Sequence, residues 1–237
     1  MLEIKNLSKT YENGKRAVDN LSLTINPGEI FAFIGHNGAG KTTTIKAVVG
    51  LITFEQGEVY IDGISIKERP IEAKKLIAYI PDNPDLYESL TGIQFLNFVA
   101  DIYEVDKKSR NEDIKKYADM FEITKNLGDL ISSYSHGMKQ KLALISALIH
   151  KPKLFILDEP FVGLDPKASY LVKETMKEMC KEGTAIFFST HVLEVAEKLC
   201  DKVAIIKDGR IVAMGTMEEV KGDKSLEDVF LGLENHA

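Results

Sequence analysis

"IFAFIGHNGAGKTTTIKAVVGL", Ile30 to Leu51, decides the fold. Its first five residues are apolar without alternation, as in a strand covered on both faces. The next eight, Gly35 to Thr42, satisfy G-x-x-x-x-G-K-[ST], and the remainder has a helical pattern. A strand, this loop and a helix in that order make a phosphate cradle. Loop N–H groups and the helix N-terminus bind phosphate oxygens, Lys41 reaches the β- and γ-phosphates, and the Thr42 hydroxyl ligates Mg²⁺. Gly35, Asn37, Gly38, Gly40, Lys41, Thr42 and Thr43 are the nucleotide-binding candidates.

Outward from this segment, "LFIL" (Leu154 to Leu157) and "AIFF" (Ala185 to Phe188) are further continuous apolar runs followed by helical patterns. The class is α/β, with a mainly parallel sheet. Ahead of it, "LEIKNLSKTY" and "LSLTI" alternate and end at an "NPG" turn, which predicts an antiparallel part at the N-terminus. Between about Leu86 and Lys151 there is no convincing strand, only segments such as "IQFLNFVADIY". The expected organisation is one domain, with a core at 1–85 and 152–237 and a helical insertion at 86–151. "TMEE" and "SLED" each resemble a helix-starting capping box, at Thr216 and Ser225.

The run "LFILDEP" ends a buried strand in two acids. Asp158 is placed to hold Mg²⁺ through water, and Glu159 to orient and help deprotonate an attacking water. An isolated pair of this kind is more often a strand reaching solvent. A lone histidine such as His191 in "FFSTH" is more often structural. Gly35, Asp158 and His191, however, each follow a separate apolar run, and a parallel sheet binds ligands at the carboxyl ends of its strands. That makes Lys41, Glu159 and His191 the catalytic candidates.

Composition excludes several classes. The 237 residues are 44% hydrophobic, and 30 Lys+Arg against 36 Asp+Glu give a formal charge of -6, with no basic block for nucleic acid. No apolar run approaches the about 18 residues of a membrane span. Cys180 and Cys200 have neither metal nor redox spacing and nothing resembles a signal peptide, so a cytoplasmic location is expected.

With these motifs in their order, the chain resembles the ATP-binding subunit of an ABC transporter over essentially its whole length. The resemblance implies ATP and Mg²⁺ as cofactors, with Tyr11 stacking on adenine and His191 contacting the γ-phosphate. Asp165 in "GLDP" would belong to a loop facing a second ATPase subunit. "YSHGM" stands where the family has Leu-Ser-Gly-Gly-Gln, so Ser135 and Gly137 would contact ATP held by that second subunit. The chain departs from the pattern at Tyr134, His136 and Met138. The family's Mg²⁺-contacting glutamine aligns with Asp82, which reaches the metal through water, chiefly signals to the membrane partner, or is a turn residue between Pro81 and Pro84.

The resemblance further implies a homodimer or heterodimer of ATPase subunits around two ATP molecules. It would drive a separately encoded integral-membrane permease from the inner face of the cell membrane. "YSHGMKQK", Asp82 and "SLEDVFL" resemble the subgroup paired with exporter-type permeases. The rival is a soluble ABC ATPase with another task, such as cluster assembly. An unrelated P-loop kinase or GTPase would leave "YSHGM" and His191 unexplained.

Overall fold

The computed structural model describes residues 1–235. The chain opens with two strands, β1 (Leu2–Thr10) and β2 (Arg16–Ile25), then β3 (Ile30–Ile34) and α1 (Lys41–Val48). Next come β4 (Gln56–Ile61), β5 (Ile64–Ser65), α2 (Pro70–Lys75) and β6 (Ile77–Ile80). A helical stretch follows, with α3 (Gly92–Ile102), α4 (Lys107–Met120), two 3-10 turns at Thr124–Asn126 and Ile131–Ser133, and α5 (His136–Leu148). The chain re-enters the sheet with β7 (Leu154–Asp158), α6 (Pro166–Lys181), β8 (Ala185–Thr190) and α7 (Leu193–Leu199). It ends with β9 (Lys202–Lys207), β10 (Arg210–Thr216), α8 (Met217–Lys221) and α9 (Leu226–Asn235).

These strands make two sheets. The first is antiparallel, in the order β2-β1-β4-β5. The second has the order β10-β9-β3-β8-β7-β6, parallel from β9 to β6 and antiparallel only at β10. The α/β class, the antiparallel N-terminal part and the helical segment are thus as the sequence indicates.

The unbroken apolar run of β3 has a direct structural cause. Ile30, Ala32 and Ile34 face one core, with Phe155, Phe188 and Leu142 of α5. Phe31 and Phe33 face another, with Phe187, Val48 of α1 and the inner face of the antiparallel sheet. The Phe33 and Phe187 rings stand 5.5 Å apart. With helices on one side and α1 plus a second sheet on the other, no face of β3 is left for a polar residue. Both ends of the predicted capping boxes form: Thr216 and Glu219 cap α8 reciprocally, and Ser225 and Asp228 do the same before α9. Thr91 and Gln94 form a third box, at α3. Among the described residues no helix is long and apolar enough to cross a membrane.

Candidate nucleotide site

Because β3, β8 and β7 are neighbours in the parallel sheet, their carboxyl ends bring three loops to one edge. The loop after β3 turns sharply into α1. Gly40 has φ +113, and a Cβ there would lie 2.4 Å from the Ala17 carbonyl. A Cβ on Gly35 would lie 2.5 Å from the Ile206 carbonyl at the end of β9, so only glycine lets the loop rest on that strand. Lys41 folds back beneath the loop, its Nζ donating to the carbonyls of Gly35 at 2.6 Å and His36 at 3.1 Å. Burial holds its ammonium below the ordinary lysine value; Glu159 and then Asp158 oppose that.

The acid pair meets the loop. The Thr42 hydroxyl donates to Asp158 Oδ2 at 2.7 Å, and the Ser189 hydroxyl donates to Oδ1. Asp158 is buried, and these two hydroxyls fix both of its oxygens. Glu159 has φ +49, an uncommon conformation for a residue with a side chain. That twist points its carboxylate between the other two loops: Oε1 lies 3.9 Å from Lys41 Nζ, and Oε2 lies 3.0 Å from His191 Nδ1. The predicted loop, acid pair and imidazole therefore converge on Glu159.

A cleft of about 210 Å³ opens beside them, bounded by Asn37, Gly38, Gly40, Lys41, Thr42, Thr43, Asp158, Glu159 and Tyr11. The Tyr11 hydroxyl is 3.2 Å from Thr43 Oγ1, which sets its ring at the cleft's outer end. Three lining residues are absent from the sequence reading: Lys15, Ala17 and His36. Lys15 carried a signal, the Asn13-Gly14 pair of a tight hairpin. The hairpin closes by Gly14 N–H to Tyr11 O and Tyr11 N–H to Lys15 O, both 2.9 Å, and brings Lys15 beside the tyrosine.

The oxygen donors suit Mg²⁺. Thr42 and Asp158 offer a hydroxyl and a carboxylate in contact; the buried Tyr79 hydroxyl, without a hydrogen-bond partner among the described residues, does not line the cleft. Burial, then Asp158 and Asp82, raise that phenol's pKa. Among the described residues no group of three or more His, Cys, Asp or Glu side chains could cage a metal alone. This is the arrangement for an ion that takes its remaining ligands from phosphate and water.

Five of the predicted residues do not line this cleft: His191, which reaches it only through Glu159, and Gly35, Asp82, Ser135 and Gly137. Gly35 supports the loop from below. Asp82 is exposed, does not line the cleft, and accepts the N–H of Asn83 at 2.9 Å as a turn residue does. Ser135 caps α5, accepting the Met138 N–H at 3.3 Å, and neither it nor Gly137 lines the cleft. The start of α5 instead meets the loop after β7: a Cβ on Gly163 would lie 2.7 Å from the His136 ring, and Lys141 pairs with Asp165 at 3.2 Å. Asp165 also caps α6 through the Ala168 N–H, and these contacts hold its carboxyl below the usual range. Tyr134 is buried, its hydroxyl donating to Asn126 O at 2.6 Å over Gly92, where a Cβ would lie 2.3 Å away. The departure from leucine at this position thus serves the helical core.

Comparison with known proteins agrees with this geometry. The sequence model of the ABC transporter family matches residues 18–162. The ABC-type transporter ATP-binding protein EcsA of Bacillus subtilis is 35% identical, over 98% of this chain and 96% of that protein. YhcH of the same organism, an ABC transporter ATP-binding protein, is 38% identical over 95% of this chain and 73% of its own length. A solved ATP-binding subunit of an ABC transporter superposes with a TM-score of 0.95 at 34% identity, covering 99% of both chains. A dimeric ATP-binding cassette in a post-hydrolysis state, bound to ADP and Pi, superposes with a TM-score of 0.83 at 25% identity, over 92% of this chain and 99% of that one. The phosphate loop, acid pair and sheet-edge histidine thus lie in a chain that belongs to the ABC transporter family of ATP-binding proteins.

Proposed function

We propose that this subunit binds Mg·ATP in the cleft at the end of β3, pairs head to tail with a second ATPase subunit, and hydrolyses the nucleotide to drive a separately encoded permease in the direction of export. The observation that carries the reading is the position of the Glu159 carboxylate, between Lys41 and His191 and next to Asp158. A base that orients water must lie within reach of the bond to be broken, and the loop defines where the terminal phosphate lies.

In this reading Tyr11 stacks on the base, and the amides of Asn37 to Thr43 hold the phosphates. Lys41 exchanges its two carbonyl contacts for phosphate oxygens. Thr42 and Asp158 would hold Mg²⁺, and Asp82, in the loop after β6, the strand next to β7, would join them in its outer shell. Bound there, Mg²⁺ neutralises developing charge on the phosphate oxygens. Glu159 aligns the water and takes its proton, while His191 holds Glu159 through Nδ1 and offers Nε2 to the γ-phosphate. Ser135 and Gly137, outside their own cleft, close the partner's site, and Asp165 lies at the same interface.

The helical arm 86–151 moves against the core 1–85 and 152–237 and carries the permease contact. Its outer face supports this role: Tyr87, Phe98 and Ile102 are exposed there, with the Tyr87 and Phe98 rings 5.5 Å apart. Export is favoured by likeness to the linearmycin resistance ATP-binding protein LnrL of Bacillus subtilis, 34% identical over 93% of this chain and 70% of its own length. Outward movement of a toxic compound is one way to confer resistance. In this reading the subunit lies on the cytoplasmic face of the membrane through its permease.

Glu159→Gln tests the reading. It removes the carboxylate and spares the loop and Asp158, so phosphate release should fall by at least about 100-fold, the contribution typical of a positioned base. ATP binding should survive, and Mg·ATP should hold the variant as a dimer in gel filtration. Unchanged phosphate release from a monomer would reject both the role and the mechanism.

A further inference from the structure

The floor of the phosphate loop is the end of β9. Gly35 sits against the Ile206 carbonyl, and a Cβ on Gly40 would lie 3.3 Å from Ile206 Cδ1. The C-terminal helix α9 is fastened to the same place. Lys207, the last residue of β9, donates from Nζ to the Leu233 carbonyl at 3.1 Å. At the helix start Leu226 is fully buried and its N–H donates to Glu197 of α7 at 3.4 Å. Glu197 in turn pairs with Lys221 of α8. One turn on, the Phe230 ring packs on the imidazole of His36, with centroids 5.0 Å apart and planes at 59°. His36 is the second residue of the phosphate loop and lines the nucleotide cleft.

We propose that Phe230 is a positioning residue for nucleotide binding. Resting on His36, it holds the loop in the arrangement whose amides converge on phosphate. An unsupported glycine loop has many other conformations to lose before it can bind, and each lowers affinity by the fraction of time spent in it. The tilted aromatic contact supplies orientation as well as apolar area. Phe230 touches His36 but does not itself line the cleft, so it changes affinity without touching ATP. This inference rests on the cleft being the ATP site.

The test uses the whole protein. Phe230→Ala should weaken binding of a fluorescent ATP analogue by about threefold to tenfold, as expected for one aromatic contact. KM for ATP should rise by the same factor, with kcat at saturation within about twofold of wild type. Phe230→Tyr should restore affinity. In hydrogen exchange of the nucleotide-free protein, the peptide covering residues 35–41 should exchange faster in Phe230→Ala than in wild type. Should Phe230→Ala fail to fold, Phe230→Leu keeps the apolar bulk, lacks the ring, and is read in its place. A lower melting temperature with unchanged affinity and unchanged exchange at 35–41 would make Phe230 a mere anchor of its helix and overturn the proposal. If the wild-type protein bound no ATP, the functional reading would fall, and loop exchange alone would still decide the role of Phe230.

Discussion

His150 lies just past α5, with its ring stacked on Tyr103 at 3.7 Å and 8°. Its Nδ1 is buried without a hydrogen-bond partner among the described residues, and burial pushes its pKa down to about 4. The sign follows from where the proton goes. Between the unfolded value of about 6.5 and the folded value, only the unfolded chain binds it. The stabilisation is complete above that upper value and is lost as pH falls towards 4. Its size is about 3 kcal/mol. Urea unfolding at pH 7 and pH 4.5 should therefore show wild type losing more stability than His150→Gln, by about 2 kcal/mol. Equal losses would place the imidazole in water. The paired carboxylates also titrate in this range, and the comparison with the variant cancels them. Nothing in "ALIHKPK" announces this histidine, because its environment comes from Tyr103, the residue that follows α3, 47 positions earlier in the chain.

At the scale of the element, Met138, Leu142, Ile145 and Ile149 recur at helical spacing, so the period of α5 can be read from the residues alone. What sequence could not supply was the reason for tyrosine at 134. The ring passes over Gly92, the first residue of α3, to reach a carbonyl in the 3-10 turn at Thr124–Asn126. Gly92→Ala should drive a methyl into that hydroxyl and destabilise the protein by about 1 to 3 kcal/mol, the usual cost of overpacking. Adding Tyr134→Phe should recover part of the loss, and additive losses in thermal melts would deny the contact. Strands divided in the same way. β3, β7 and β8 stand out as unbroken apolar runs because both their faces are covered. β10 is an edge strand whose alternate residues are exposed, and β6 has only four residues, so neither rises above its surroundings.

For the whole molecule, the sequence indicated which loops meet, since the order of strand ends in a parallel sheet determines it. It could not place Asp82, whose loop leaves the sheet edge, nor the α9 contact with His36, which joins residues 194 positions apart. The outward position of Ser135 and Gly137 leads to a prediction about assembly. In the proposed dimer, Lys41→Ala spoils the phosphate loop, and Gly137→Asp sets a carboxylate against the partner's γ-phosphate. Each homodimer then carries two damaged sites. In a mixed head-to-tail dimer, one site joins an intact loop to an intact helix, and random pairing in an equal mixture makes half of the dimers mixed, so mixing should restore nucleotide occlusion to about a quarter of the wild-type level. No recovery, with heterodimers verified by mass spectrometry, would mean that α5 does not serve the opposite subunit. The twist at Glu159 bears on how such a molecule changes over generations. Holding a side chain at φ +49 costs about 1 kcal/mol that glycine would not incur. Folding alone thus favours loss of the carboxylate to which the proposed function assigns turnover. On that proposal, a lineage selected only for endurance would drift towards an inert clamp, and selection on turnover would be what holds glutamate at 159.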